Sequence, residues 1–338
     1  MSGLLETLDA EERRLLRPAP PGEQLVAEPM RAQLSDRRDF TEGGWLFERK
    51  LDGVRLLAVR DGGVALRSRT GKRQEETYPE LVDALQAQEC ADFVVDGEVV
   101  ALSGGRTDFS LLQQRMQLSR AWQARSSGVV VTYFLFDLLR LAGQDVTRLP
   151  LRTRKSLLRR ALSFDQPLRF TTHRNTGGPE RLQQACDRGW EGLIAKRADG
   201  RYLHRRSTHW LKLKCERAQE TVIGGFTEPS GSRLGFGALL VGYYDGAALR
   251  YAGKVGTGYS ERVLRELRAR MDTLVTEHSP FADPVPARAV HWLRPALVAQ
   301  VGFAEWTRDG LLRHPRYLGL RDDKAPEDVV REVPLERR

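Results

Sequence analysis

The sequence predicts a two-domain α+β protein, with antiparallel strands and helices mixed over residues 1–216 and a small β-barrel over residues 217–338. Three observations lead there. At 338 residues the chain exceeds what one hydrophobic core usually organises. Up to about residue 216, alternating or β-branched runs trade places with amphipathic helical stretches. Beyond it, short strands separated by glycine turns dominate, the pattern of a small barrel.

Met1 to Leu16 reads as an acidic helix, followed by a proline-rich connector at 17–24. Residues 45–70 read as a hairpin or meander turned by Asp61-Gly62-Gly63. Tyr78-Pro79-Glu80 opens an amphipathic helix that runs to about Ala87. Phe93 to Leu102 is a strand interrupted by Asp96-Gly97-Glu98. Residues 109–124 read as one helix, and Val129 to Leu139 as a buried strand with Asp137 near its end. Leu151 to Leu162 and Glu180 to Arg188 are helical, the first strongly basic. Glu191 to Lys196 and Trp210 to Lys214 alternate as strands do, with a basic segment at 201–206 between them. Val222 to Phe226, Phe236 to Tyr244 and Leu249 to Val255 are the first barrel strands, Ser260 to Leu274 a helix, and Ala296 to Thr307 further strand.

Composition narrows the classes. Hydrophobic content of 41% with 29% charged residues is that of a globular protein. A net charge of +9 suits a polyanionic partner, nucleic acid above all. The first residues carry no basic start before an apolar run, so no signal peptide is expected. The longest apolar stretch, 129–139, contains Thr132, Tyr133 and Asp137 and is too short to span a bilayer. Three cysteines, Cys90, Cys186 and Cys215, lack metal-ligand spacing and are expected as reduced thiols of a cytoplasmic protein. The six histidines form no paired-ligand pattern.

Lysine is scarce. Of 54 basic residues only eight are lysine, leaving 54 − 8 = 46 arginines. Arginine cannot readily lose its proton, whereas a desolvated lysine can, so the few lysines are enriched candidates for chemistry. Lys72 and Lys155 read as residual surface charges. Lys50 stands out in Glu48-Arg49-Lys50-Leu51-Asp52-Gly53-Val54-Arg55, a polar loop between two apolar strands, with Gly53 supplying freedom at the bend. An amine held at such a tip is a candidate covalent nucleophile.

Lys50-x-Asp52-Gly53-x-Arg55 does not stand alone. In order follow Ser68-Arg69-Thr70-Gly71, Asp96-Gly97-Glu98, Phe136-Asp137-Leu138-Leu139, Glu191-Gly192-Leu193, Trp210-Leu211-Lys212-Leu213-Lys214 and Arg321-Asp322-Asp323-Lys324. This ordered set resembles the motifs of the covalent nucleotidyltransferases, the superfamily of ATP-dependent DNA ligases, RNA ligases and mRNA capping enzymes. The resemblance covers nearly the whole chain from about residue 28. It is closest to the ligase domain of bacterial DNA ligase D and its stand-alone relatives, through Phe109-Ser110-Leu111-Leu112-Gln113, Gly253-Lys254-Val255-Gly256-Thr257-Gly258 and Leu312-Arg313-His314-Pro315-Arg316. Whether the chain is an excised module or a short ligase stays open. So do two other readings, a GTP-dependent RNA-capping guanylyltransferase and a non-catalytic DNA-end-binding module.

The resemblance implies a nucleotidyltransferase domain of ATP-grasp-like antiparallel sheets and helices followed by an OB-fold domain. It implies lysyl-AMP chemistry with ATP and Mg²⁺ or Mn²⁺, used in DNA repair and end joining. Lys50 is the expected nucleophile, with Asp52 beside it and Lys212 and Lys214 on the α-phosphate as catalytic residues. Lys50 has to be neutral to attack, and partial burial with those two cations nearby is expected to disfavour its charged form. Glu48 and Phe136 are expected at the adenine, Glu98 at the ribose, and Arg55, Arg69 and Arg206 at sugar and phosphate oxygens. Glu191, with Glu98 sharing, is expected to hold the metal. Arg321 and Lys324 are expected at the pyrophosphate, carried there by a hinge at 215–220. Expected partners are nicked or broken duplex DNA, a Ku end-binding protein and a repair polymerase, with no membrane. The protein is expected to be a monomer associated with the nucleoid in the cytoplasm.

Overall fold

The computed structural model describes residues 3–36, 40, 44–215, 218–229 and 234–333. Residues 1 and 2 and residues 216 and 217 of the proposed hinge lie outside the described residues. The single helix expected over Met1 to Leu16 is instead two short helices, Gly3–Glu6 and Ala10–Leu15, with Asp9 capping the second by accepting from Glu12 N. The chain divides into two compact units, the first reaching Cys215 and the second running from Glu216 to Val333. Among the described residues no helix is long and apolar enough to cross a membrane.

In chain order the first unit contains β1 (Arg31–Leu34), β2 (Trp45–Arg49), β3 (Val54–Asp61), β4 (Gly63–Ser68), α1 (Pro79–Gln86), β5 (Asp92–Ser103), α2 (Phe109–Met116) and α3 (Ala121–Ser126). Then come β6 (Val131–Leu141), α4 (Leu151–Ala161), β7 (Leu168–Phe170), α5 (Gly178–Asp187), β8 (Gly192–Arg197) and β9 (Arg206–Lys214). The strands form two sheets. One has the core order β6-β5-β3-β4, antiparallel throughout, with β7 added parallel to β6. The other has the order β1-β9-β8-β2.

Period-two alternation assigns the faces. In the first sheet Leu56, Ala58, Val95, Val99, Tyr133 and Leu135 pack with Leu81 and Leu85 of α1, Leu112 of α2 and Leu157 and Leu158 of α4. Its opposite face presents Leu57, Val59, Val94 and Phe136, which meet Trp210 of β9 together with Tyr202 and Met30. The second sheet buries Trp45, Phe47, Leu193, Ala195, Leu211 and Leu213 against Leu182 and Ala185 of α5. The two sheets are therefore layered, and their facing surfaces carry the polar residues described below.

Three further expectations need correction here. Residues 109–124 are two helices, not one. Asp108 caps α2 by accepting from Leu111 N, and the chain turns at 117–120 before α3. The break is held by Arg115, whose buried guanidinium donates to Thr77 O, Ala124 O and Val129 O and pairs with Glu80. Cys186 and Cys215 are not free thiols. α5 packs on the face beneath β9, which brings the helix end to the strand end, and the two sulfurs form a disulfide with Cα atoms 5.2 Å apart. Cys90 remains a buried free thiol. Lys155 is not a surface charge: it is 1% exposed and lies within α4's buried face.

The second unit contains β10 (Ala218–Thr227), β11 (Leu239–Asp245), β12 (Ala248–Val255), α6 (Glu261–Asp272), β13 (Val290–Gly302) and β14 (Arg316–Leu320). Its antiparallel order is β12-β11-β10-β13, with β14 on β13. Ile223, Val241, Ala252 and Val301 pack with Leu264, Leu267 and Met271 of α6 in one core.

Candidate active site

β2, β8 and β9 run side by side in antiparallel register, which places Glu48 opposite Ile194 and Ile194 opposite Lys212. Two residues along, Lys214 lies opposite Gly192, whose carbonyl accepts from Lys50 N at 2.9 Å. Because residues directly opposite share a face, Glu48, Lys50, Lys212 and Lys214 stand on the side away from α5. β9 is an inner strand between β1 and β8, so Lys212 and Lys214 are not an edge-strand charge pair. Lys196, two residues beyond Ile194, stands on the same face.

After Lys50 the chain turns through Asp52 and Gly53 into β3. Gly53 is required by close approach: a Cβ there would lie 2.2 Å from Val99 O and 3.1 Å from Glu98 Cγ. That contact sets the lysine loop against β5, the strand carrying Glu98. In the ladder Glu98 pairs with Arg55 on one side and Phe134 on the other.

The Lys50 amine lies 2.6 Å from Glu191 Oε2, its side chain 19% exposed. Burial pulls its pKa down, but the charge and hydrogen bond of Glu191, with Asp52 and Glu98 behind, outweigh burial and raise it. The expectation that its surroundings disfavour the charged form is thus overturned. Three carboxylates act on the lysine, Glu191 most strongly, and together they more than offset its burial. The amine with a depressed pKa is Lys196, pushed down to about 8, chiefly by burial, with Glu48 opposing and Lys155 reinforcing.

Glu48 is 2% exposed and held by two ammonium groups, Lys155 Nζ at 2.6 Å and Lys196 Nζ at 2.7 Å. Burial raises its pKa, yet the two lysines more than reverse that, and it stays ionised below the ordinary carboxylate range. Lys155 also donates to Thr171 O at 2.9 Å and lies 3.5 Å from Phe136 O, so one buried ammonium gathers β2, β6 and the segment after β7. Phe136 is 8% exposed. Trp210 stands edge-on to it at 5.8 Å, and Lys196 Nζ and the Arg55 guanidinium lie 4.0 and 4.8 Å from its centroid. A shift of register between Asp96 and Gly97 lets neighbouring residues of β6 serve different layers. Phe136 joins the surface between the sheets, while Asp137 is fully buried against Arg154, at 2.7 and 2.9 Å.

Arg55 does not present an open fork. Two of its nitrogens donate to the fully buried Asp96, and it also donates to Met30 O at 3.1 Å. Tyr202 OH donates to the same carboxylate at 2.6 Å. Arg69 is half-buried in the turn after β4, where Ser68 Oγ accepts from Thr70 N and Lys72 N. Arg206 opens β9 and donates to Ala32 O at 3.0 Å. In the second unit Arg321 forms a paired contact with Asp323 at 2.8 Å, and Lys324 lies 3.1 Å from Glu220.

The structure thus brings Lys50, Asp52, Glu98 and Glu191 together, with Lys212 and Lys214 on the same sheet face. Lys155 and Lys196 escaped the sequence reading. A signal existed: Lys155 falls four residues after Leu151 and three before Leu158, on the helix's apolar stripe.

The family model described as ATP dependent DNA ligase domain matches residues 24–214, and that described as ATP dependent DNA ligase C terminal region matches 232–324. The chain is 40% identical over 302 residues to the multifunctional non-homologous end joining protein LigD of Pseudomonas aeruginosa, covering 86% of this chain and 35% of that protein. It is 41% identical over 299 residues to the multifunctional non-homologous end joining DNA repair protein LigD of Mycobacterium tuberculosis, covering 85% and 37%. The chain therefore spans about a third of the length of these curated relatives. The solved structure of mycobacterial DNA ligase D complexed with ATP and MES superimposes with a TM-score of 0.64 at 37% identity, covering 90% of this chain and 98% of that one.

Proposed function

The chain belongs to the ATP-dependent DNA ligase family, with its nucleotidyltransferase domain and OB-fold domain, and from that premise we propose that it seals breaks in duplex DNA through an adenylyl group carried on Lys50. Sealing takes three transfers. The Lys50 amine attacks the α-phosphorus of ATP, forming a P–N bond as pyrophosphate leaves. The adenylyl group passes to the DNA 5′-phosphate. The 3′-hydroxyl then attacks that phosphate, forming the phosphodiester as AMP leaves.

One observation carries the reading: Lys50 sits 2.6 Å from Glu191 on the sheet face that also holds Lys212 and Lys214. Glu191 is the strongest group raising the amine's pKa, so freeing Lys50 from it moves the amine toward the reactive neutral form. Lys212 and Lys214 offset charge growing on the α-phosphate. Asp52 orients the amine. Glu48 and Phe136 take the adenine, and Arg69 and Arg206 the sugar and phosphate oxygens, while Arg55, engaged by Asp96, holds the adjoining strands in place. Arg321 and Lys324 take the pyrophosphate, brought there by movement at 215–220.

Glu98 and Glu191 suit a hard divalent cation. Both are carboxylates, and Glu191 already pairs with a positive charge, the Lys50 ammonium. A cation held by these two carboxylates would draw the rest of its shell from phosphate and water oxygens. Mg²⁺ or Mn²⁺ bound there supplies neutralisation of phosphate charge.

The LigD relatives are named for non-homologous end joining, and we place this chain in the same repair, acting on nicked or broken duplexes at the nucleoid in the cytoplasm as a monomer. A Ku end-binding protein and a repair polymerase are the partners that role requires. The test is a 5′-phosphorylated nicked duplex incubated with protein, metal and ATP. A joined strand supports the reading; no joined strand, or covalent labelling by GTP alone, rejects it in favour of end binding or RNA capping.

A further inference from the structure

The segment after β7 links the two sheets beside Glu48. β7 runs parallel to β6 with Leu168 opposite Tyr133 and Phe170 opposite Leu135, all facing the first sheet's outer core. Alternation therefore sets Thr171, whose N donates to Leu135 O at 2.8 Å, on the other face, beside Phe136. Three residues on, Arg174 exchanges both backbone hydrogen bonds with Phe47 of β2, at 2.8 and 3.0 Å. That antiparallel bridge puts His173 opposite Glu48. Lys155 fastens the arrangement, with its ammonium on both Glu48 Oε1 and Thr171 O.

Two buried polar atoms in this strap have no hydrogen-bond partner among the described residues, Thr171 Oγ1 and His173 Nδ1. Thr171 is 6% exposed. Native proteins rarely leave such atoms unsatisfied, because burial strips their water without return. Both flank the carboxylate and the ring assigned above to adenine.

We propose that Thr171 and His173 are base-reading residues that, together with Glu48, select adenine in the nucleotide site; this rests on the ligase reading above. The chemistry matches. Adenine's edge offers an amino donor at position 6 and ring-nitrogen acceptors at positions 1 and 7. An ionised Glu48 only accepts and takes the amino group. A threonine hydroxyl donates or accepts, and a neutral imidazole does one at each nitrogen. Guanine would set its 6-oxo acceptor against the same carboxylate.

Thr171→Val tests this, since it removes the hydroxyl and keeps the shape. A group serving only the resting fold gives no reason for ATP affinity to change. A base contact predicts that KM for ATP in forming the covalent AMP adduct rises about tenfold, the loss of one hydrogen bond, with kcat within about twofold. The preference for ATP over GTP should narrow in step. The melting temperature of the nucleotide-free variant should hold or rise, while its shift on adding an α,β-non-hydrolysable ATP analogue shrinks. An unchanged KM for ATP, whatever the melting temperature does, overturns the proposal. If the parent chain forms no AMP adduct at all, the ligase reading itself fails, and that outcome is told apart by the parent control.

Discussion

At Lys50 the resting and the reacting protein require opposite charge states. In the nucleotide-free protein Glu191, Asp52 and Glu98 outweigh burial and raise the amine's pKa. A raised value means that the Lys50–Glu191 pair stabilises the fold fully below the unfolded lysine pKa of about 10.4, and that this contribution is lost only as pH climbs through the higher folded value. Reactivity runs the other way, because only the neutral amine attacks. The kcat/KM of self-adenylation reports the free enzyme, so between pH 7 and 9 it should rise about tenfold per pH unit. A plateau already present at pH 7 would mean a neutral resting amine. The sequence displayed Lys50, Asp52 and Glu191 because each lies in a compact local pattern. It hid the resting charge, which depends on Glu191, 141 positions away. It hid Lys155 for the same reason: the partner Glu48 is 107 residues distant, and a lone basic residue in a basic helix looks solvated.

Among the elements, the second sheet was the most legible. Alternation along Trp45 to Arg49, Gly192 to Arg197 and Trp210 to Lys214 separates an apolar face on α5 from a face bearing Glu48, Lys196, Lys212 and Lys214. The first sheet was harder, since the irregularity in β6 breaks the period where Phe136 and Asp137 diverge. Arg154, on α4, secures that irregularity: its fork meets Asp137 with both side chains fully buried, and it donates to Leu149 O and Gly200 O. Arg154→Met would strand a buried carboxylate. Denaturant unfolding should show a loss of about 3–5 kcal/mol, the usual consequence of removing one partner of a buried pair. A loss below about 1 kcal/mol would show that Asp137 finds other partners or takes up a proton. The single helix expected over 109–124 misled because its break depends on Arg115 reaching carbonyls of three other segments.

For the whole molecule, short strands and glycine turns beyond residue 216 suggested the division; the chain does part between Cys215 and Glu216, but the strands beyond are not short, β13 running to 13 residues. Neither composition nor pattern revealed that Cys186 and Cys215 pair, because the contact exists only once α5 packs beneath the second sheet. The second unit's proposed role falls in one transfer, through Arg321 and Lys324. Lys324 pairs with the partly exposed Glu220, so Lys324→Ala leaves no deeply buried charge stranded. It should slow self-adenylation by tenfold or more, the scale of one lost charged contact, while sealing of pre-adenylated nicked DNA falls much less. Equal losses in both would remove the distinction. Everything converges on the first covalent step. Incubated with α-labelled ATP and a divalent metal, the protein should acquire one labelled AMP, with the label mapping to Lys50 by peptide mass and absent from Lys50→Ala. Label on another lysine, Lys196 with its depressed pKa being the foremost alternative, or label retained in Lys50→Ala, would contradict the account.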